Sequence, residues 1–291
     1  MTALAKPQAY LQLMRFDKPI GTLLLLWPTL WALWLAADGP PDPGLLAIFV
    51  IGTFLMRSAG CIVNDLADRN LDGGVLRTQQ RPLVTGAVTV TEALTLCGLL
   101  CLAAFGLVLL TNPFTVALSL AAVGLTATYP FMKRYTHWPQ LVLGAAFSWG
   151  IPMAFAAQGG DLPPALWWLF AANLLWTVVF DTQYAMVDRD DDLRIGIKST
   201  AVLFGRADRA LIALFQIACL TCLLMAGRAF GLGPWYWTAL LAAAGLFMYH
   251  QWLIRERDRE ACFRAFRHNN WFGLVVFAGI ALHFLQNAPG R

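Results

Sequence analysis

Apolar residues in this chain come in long unbroken runs rather than alternating with polar ones. Nine such runs cover about 19–37, 44–63, 92–111, 113–131, 139–157, 164–186, 209–226, 232–253 and 271–287. A helix needs about 20 mostly apolar residues to cross the hydrocarbon core of a bilayer. The pattern predicts an all-α polytopic membrane bundle of about nine transmembrane helices. No alternating strand pattern recurs, which argues against a β-barrel.

The polar segments between the runs are of two kinds. Three are short, ADGPPDP, TNP and QGGDLP; three are long, at 64–91, 187–208 and 254–270. Binding and catalysis concentrate where loops are long and polar. Of the 21 Lys and Arg, all but Arg57, Arg228 and Arg291 fall at the N-terminus or in every second connection. Positive loops stay in the cytoplasm, so the N-terminus is expected inside and the C-terminus outside.

Composition agrees. The chain is 58% hydrophobic and 13% charged, roughly half the charge of a soluble domain. Its net charge of +4 then belongs to a cytoplasmic membrane face, not to nucleic-acid binding, and nothing points to an obligate protein partner. The first apolar run is long and lacks a small-residue cleavage site, so no cleaved signal peptide is expected. The six cysteines lie mostly in apolar runs. The C-x-x-C of Cys219 and Cys222 reads as small packing residues, and no disulfide framework is implied.

Two of the long loops share a grammar. NDLADRNLDGGVLRTQQRPL and DTQYAMVDRDDDLRIGIKSTA each follow an apolar run into acids, then into basic and hydroxyl residues. This weak internal repeat suggests two half-bundles facing one central cavity within a single domain, 1–291. The third, RERDREACFRAFRHNN, lacks the acidic spacing and reads as an anchor on anionic lipid headgroups.

The acids carry the chemistry. In RSAGCIVNDLADRNLD (57–72), read as helix at about 100° per residue, Arg57, Asp68 and Asp72 lie at about +20°, +40° and +80° from Asn64. All four share a face, and Asp65 points elsewhere. Stacked oxygen ligands repel one another unless a cation sits among them. Hard oxygens suit Mg²⁺, which keeps waters and is commonly shared with phosphate groups. Asp181, Tyr184, Asp188 and Asp192, at i, i+3, i+7 and i+11, again share one side of a helix, with Asp190 and Asp191 facing away. Asp181 lies well inside an apolar run, where an ionisable group is expensive and usually functional.

Two acidic faces with metal imply a polyanionic substrate, and cations for it are at hand: Arg77 and Arg81 after the first face, Lys133 and Arg134 in YPFMKRYT, and Lys198 after the second. A diphosphate needs both metal and such cations. Arg57 lies two turns deeper than Asn64 and must pair either with an acid such as Asp181 or with a substrate anion. The residues thus point to a Mg²⁺–diphosphate held at the cytoplasmic rim, on a substrate apolar enough to live between helices. A prenyl diphosphate fits. Metal and cations would stabilise the departing diphosphate, and a nucleophile would capture the allylic cation. A transporter or Mg²⁺ channel is the rival class, but it would place charges near mid-span along a path, whereas nearly all sit at one rim.

RFDKPIGTLLLLWPTLWALW (15–34), RSAGCIVNDLADRNLD (57–72), RTQQRPL (77–83), YPFMKR (129–134) and DTQYAMVDRDDDLRIGIKSTA (181–201) make the chain resemble the UbiA superfamily of intramembrane aromatic prenyltransferases. Within it, the stretch from Asp181 is similar to the bacterial 4-hydroxybenzoate branch of ubiquinone biosynthesis. The resemblance implies a nine-helix inner-membrane fold with a cavity open laterally to lipid. It implies transfer of a polyprenyl group, with Mg²⁺, from polyprenyl diphosphate to the ring carbon ortho to the hydroxyl of 4-hydroxybenzoate. Asn64, Asp68 and Asp72 would form one metal motif and Asp188 and Asp192 the other. Lys133 and Arg134, with Arg77, Arg81 and Lys198, would hold diphosphate. Arg57, or else Arg15, would hold the aromatic carboxylate; Asp181 and Tyr184 would orient the phenol or accept the ring proton. Other acceptors within the superfamily, a naphthoate, a porphyrin or a tocopherol precursor, remain alternatives. The last three runs carry no motif.

Overall fold

The structure, a computed structural model, describes residues 6–70, 72–74 and 77–287; Arg291, assigned above to the outer side, lies outside them. The described residues form helices and no strands: α1 Lys6–Leu13, α2 Ile20–Ala36, α3 Pro43–Asp68, α4 Val90–Val108, α5 Pro113–Tyr135, α6 Pro139–Ser148, α7 Gly150–Gly159, α8 Leu166–Ile195, α9 Thr200–Phe204, α10 Asp208–Ala229, α11 Pro234–Leu253 and α12 Arg259–Gln286. Five stretches, α3, α4, α5, α6–α7 and α9–α10, are long and apolar enough to cross a membrane, and α2 is a shorter apolar helix. Each of the nine apolar runs falls on helix.

The ends are set by local chemistry. Asp42 accepts the Leu45 N–H at 2.9 Å ahead of Pro43, and Asn112 does the same for Thr115 ahead of Pro113. Thr89 and Glu92 form a reciprocal capping box on α4. Such caps satisfy amide donors that have no partner inside the helix. The run predicted as one span at 139–157 is divided between α6 and α7 at Trp149. Pro152 has no N–H to give Ser148, and its ring crowds that carbonyl, so the helix breaks there.

The packing is uneven. One core joins α2, α6, α7, α8, α10, α11 and α12. Trp31 stacks on Trp176 at 5.5 Å, and their indole N–H groups donate to the Gly273 carbonyl at 3.0 Å and to Asn269 Oδ1 at 2.9 Å. A side chain at Gly273 would strike the rings of Trp27 and Trp176. In contrast, only 6% of the apolar stretch of α4 is buried inside the protein, against 50% for α6–α7. Exposed Leu94, Leu102, Leu110 and Leu120 on α4, its end and α5 are the surface such helices turn to lipid. The C-terminal ends of α3, α5 and α8 and the N-terminal ends of α2, α10 and α12 meet at one end of the bundle, where the charged residues gather.

Candidate active site

The first acidic motif is built differently from its expected form. α3 stops at Asp68, and Asp72 stands on a separate 3-10 turn, Asp72–Gly74. Asp72 therefore does not continue a helical face. The turn nonetheless brings it back to the small polar pocket that Asn64 and Asp68 line. Asp68 accepts from Lys133 through Oδ2, while its Oδ1 is buried without any hydrogen-bond partner. Asp72 accepts from Arg81 at 2.6 Å. Burial, against the pull of Arg81, raises the Asp72 carboxyl above its usual range, and Asp68 and Asp65 add to the rise.

Asp65 points away from this pocket, as expected, into a hub of its own. It is fully buried, accepts two bonds from Arg15 at 2.8 Å and lies 2.9 Å from Arg81. Arg15, an alternative partner for the aromatic carboxylate, is thus already engaged by an acid. Arg134 is also placed elsewhere than expected. It donates to the Ala67 carbonyl at the end of α3 and is absent from the pocket wall. It satisfies an open helix C-terminus instead of facing a phosphate.

The second motif keeps its expected form. Asp181, Tyr184, Asp188 and Asp192 all sit on the continuous helix α8 and line the same pocket. Gly196, in the left-handed conformation at φ 76°, ends that helix. Arg77, from the loop after the first motif, reaches the second: its Nη2 meets Asp188 at 2.5 Å, and its guanidinium lies 4.5 Å above the Tyr184 ring. Lys198 gives its Nζ to the Tyr135 carbonyl at 3.2 Å and its backbone N–H to Lys133. Burial and the neighbouring Asp188 push the Asp192 carboxyl up to about 7, although Lys133 and a 3.5 Å bond from Ser199 oppose the shift. Asp190 and Asp191 face away and pair with Arg259.

The polar pocket, about 130 Å³, shares Asn64, Arg77, Arg81, Tyr129, Asp181 and Tyr184 with a second cavity of about 780 Å³. Apolar side chains, among them Phe49, Phe147, Met153, Phe180 and Phe266, line much of the larger chamber. Arg57 projects into it. Its Nε is buried and has no hydrogen-bond partner, and no ion pair joins it to Asp181 among the described residues. Gly21 makes room for its head, since a Cβ there would overlap the guanidinium.

Among the described residues no three His, Cys, Asp or Glu side chains stand close enough to cage a metal by themselves. That suits Mg²⁺, which is usually held by one or two carboxylates together with waters and substrate phosphates. The bare Oδ1 of Asp68, the amide of Asn64 and the carboxylates of Asp188 and Asp192 around one pocket are a hard-oxygen set of that kind.

Several residues at the site were not singled out in the sequence. Tyr129, Gln140 and, from α12, Phe266 and Arg267 line these cavities. The YPF of the fourth run was the available hint for Tyr129. The α12 residues had none, because their face becomes distinct only when the bundle closes. The third basic loop is also not a free anchor: α12 starts at Arg259, and Arg257 and Arg259 are bound to acids of α8 and α10.

Three comparisons place this geometry. Residues 25–274 match the UbiA prenyltransferase family. The chain is 61% identical over 273 residues, 94% of its length and 93% of the relative's, to the 4-hydroxybenzoate octaprenyltransferase of Alkalilimnicola ehrlichii. In fold it is similar to the apo UbiA homolog of Aeropyrum pernix K1, at a TM-score of 0.79 and 24% identity over 89% of this chain and 97% of that one. It is also similar to the Archaeoglobus fulgidus UbiA homolog bound to GPP and Mg²⁺, at 0.70 and 17% identity over 94% and 99%.

Proposed function

The chain is a multi-pass membrane protein of the UbiA prenyltransferase family, and we propose that it transfers a polyprenyl group from polyprenyl diphosphate to 4-hydroxybenzoate, ortho to the hydroxyl, with release of diphosphate. The observation that carries this reading is the joined pair of cavities. One is small, polar and lined by both acidic motifs and their cations; the other is large and mostly apolar, with Arg57 in its wall, whose buried Nε has no hydrogen-bond partner among the described residues. A diphosphate, an isoprenoid chain and an aromatic carboxylate are the three chemistries that such a space receives.

Each side chain has a part. Asn64, Asp68, Asp72, Asp188 and Asp192 would hold Mg²⁺; the solved neighbour of the same fold bound to GPP and Mg²⁺ supports this choice. The ion would supply Lewis-acid stabilisation of charge on the leaving diphosphate. Arg77, Arg81, Lys133 and Lys198 surround the same pocket and neutralise the phosphate oxygens as the donor C–O bond breaks. The present pairing of Arg77, Arg81 and Lys133 with acids would exchange as a divalent ion and a diphosphate arrive with opposite charges. The rings of Tyr129, Phe180, Tyr184 and Phe266 border the junction of the cavities. They exclude water from the allylic cation and face it with π density. Arg57 holds the acceptor carboxylate. Asp181 and Tyr184, between Arg57 and the polar pocket, hold the phenol and take the proton that the ring carbon loses as the new C–C bond forms. The protein would work as one domain in the bacterial inner membrane, with nine crossings and its charged end in the cytoplasm.

The experiment is direct. Purified protein in membranes receives labelled 4-hydroxybenzoate, a long polyprenyl diphosphate and Mg²⁺, with and without EDTA. A lipid-extractable labelled product that EDTA abolishes is expected. A folded protein that makes none, yet prenylates a naphthoate or another aromatic acceptor, would overturn the acceptor assignment.

A further inference from the structure

The three long helices that follow the motifs, α10, α11 and α12, supply little to the polar pocket, yet two of them converge on the α8 end that carries Asp188 and Asp192. The meeting point is Asp208, the first residue of α10, whose side chain is fully buried. It accepts from Arg189 of α8. From Arg257, in the turn before α12, it accepts through Nε at 3.0–3.1 Å and through Nη2 at 2.8 Å. It also accepts the Arg209 N–H at 2.6 Å. Arg257 Nη2 donates further to the Arg206 carbonyl at 2.9 Å, and Arg257 holds a left-handed backbone at φ 57° to do so. Few side chains other than glycine, asparagine and aspartate accept that conformation without cost. Two residues along, Arg259 reaches Asp190 and Asp191 at 3.3–3.4 Å.

These contacts all fall on one side of α8. Arg189, Asp190 and Asp191 face the clamp; Asp188 and Asp192 face the polar pocket. A helix held firmly along one side cannot rotate or fray without moving its opposite side. We infer that Asp208 is a positioning residue for the diphosphate end of the site. It fixes the rotation and depth of the last turns of α8, and through them the carboxylates of Asp188 and Asp192, without reaching the acceptor around Arg57. The inference rests on the proposed role of those two carboxylates. It gives the motif-free helices a task, and it sets Arg257 and Arg259 of the third basic loop apart from its exposed Arg255, Arg264 and Arg267.

The test uses full-length protein in detergent or membranes, with Asp208→Asn, Asp208→Glu and Arg257→Gln. Two quantities are followed: KM for each substrate, and binding of inorganic diphosphate with Mg²⁺, by calorimetry without turnover. Asp208→Asn is expected to raise the KM for the prenyl donor and to weaken diphosphate binding by about tenfold, the usual scale for a lost supporting bond. The acceptor KM should stay put. Asp208→Glu should restore part of the loss, and Arg257→Gln should show the same split to a smaller degree. A fall in kcat with both KM values and diphosphate binding intact would overturn the inference, leaving a purely structural staple; so would an equal rise in both KM values. If Asp208→Asn fails to fold, Arg257→Gln decides on the same criteria. A wild-type protein that binds no diphosphate would instead overturn the reading of Asp188 and Asp192, and the inference with it.

Discussion

The two acidic motifs read alike in sequence and are built in opposite ways. The first is split. Its helix stops at Asp68, Asp72 sits on a turn beyond it, and cations reach in from several parts of the chain to hold the pieces together. The second lies on a continuous helix, with its four residues in register and the outer side of that helix clamped. The same chemistry is thus delivered by a loop stapled with ion pairs and by a rigid rod. Precision in the first depends on electrostatics, and in the second on helix geometry.

That contrast is open to attack, beginning where the effect is greatest. Asp68→Ala and Asp188→Ala should each cost at least about 10²- to 10³-fold in turnover, as loss of one charge-stabilising group typically does, with the protein still folded in detergent. Normal activity in either variant, measured by product formation, would remove that motif from the site. Stability should separate the motifs next. Asp65→Asn leaves Arg15 without its buried acid and Arg81 with Asp72 alone, and should cost about 3 kcal/mol. Asp190→Asn, on the exposed side of α8, should change less than about 1 kcal/mol. Denaturant unfolding in detergent compares them, and equal losses would mean that the first motif does not depend on its hub.

The acceptor end gives a subtler distinction. Arg57→Ala should raise the KM for the aromatic acid by about tenfold or more, the worth of a lost charge-assisted bond, and leave the donor KM near its original value. Gly21→Ala, which displaces the same guanidinium, should act in the same direction and by less. An unchanged acid KM in Arg57→Ala would rule out the carboxylate role. The smallest effect expected is on pH. Asp192 titrates near 7, so below that value a proton competes with the metal, and metal binding gains as pH rises through it. Mg²⁺ affinity should fall by up to about tenfold from pH 8 to pH 6, and Asp192→Asn should flatten the dependence.

Sequence periodicity found the acidic faces because a helix fixes which residues are neighbours. It failed at Asp72 because periodicity does not say where a helix stops. The Gly73–Gly74 pair was the signal for that stop, and reading through it placed Asp72 on the wrong element. Arg134 is placed differently from its expected position for a related reason: a basic residue in the last turn of a helix suits a phosphate and a helix C-terminus equally well, and its bond to the Ala67 carbonyl is a tertiary contact. Asp65 was rightly excluded from the pocket, but its partners Arg15 and Arg81 lie 50 and 16 residues away, and the hub they form is a tertiary fact. The same holds for the larger cavity. Hydropathy separates apolar from polar, yet an apolar residue facing an internal space reads like one facing lipid, so Phe147 and Phe266 were not distinguished from Leu102 or Leu120.

All of the paired charges stand at one end of the bundle, with Arg57 only two helical turns further in. This has a consequence for energy coupling. A membrane potential does about 2.3 kcal/mol of work per 100 mV on each elementary charge that crosses the whole bilayer. If the donor phosphates bind at this end and diphosphate leaves from it, as proposed, no phosphate charge makes that crossing during turnover. On that reading turnover moves no phosphate charge through the field, and a membrane potential should leave its rate unchanged.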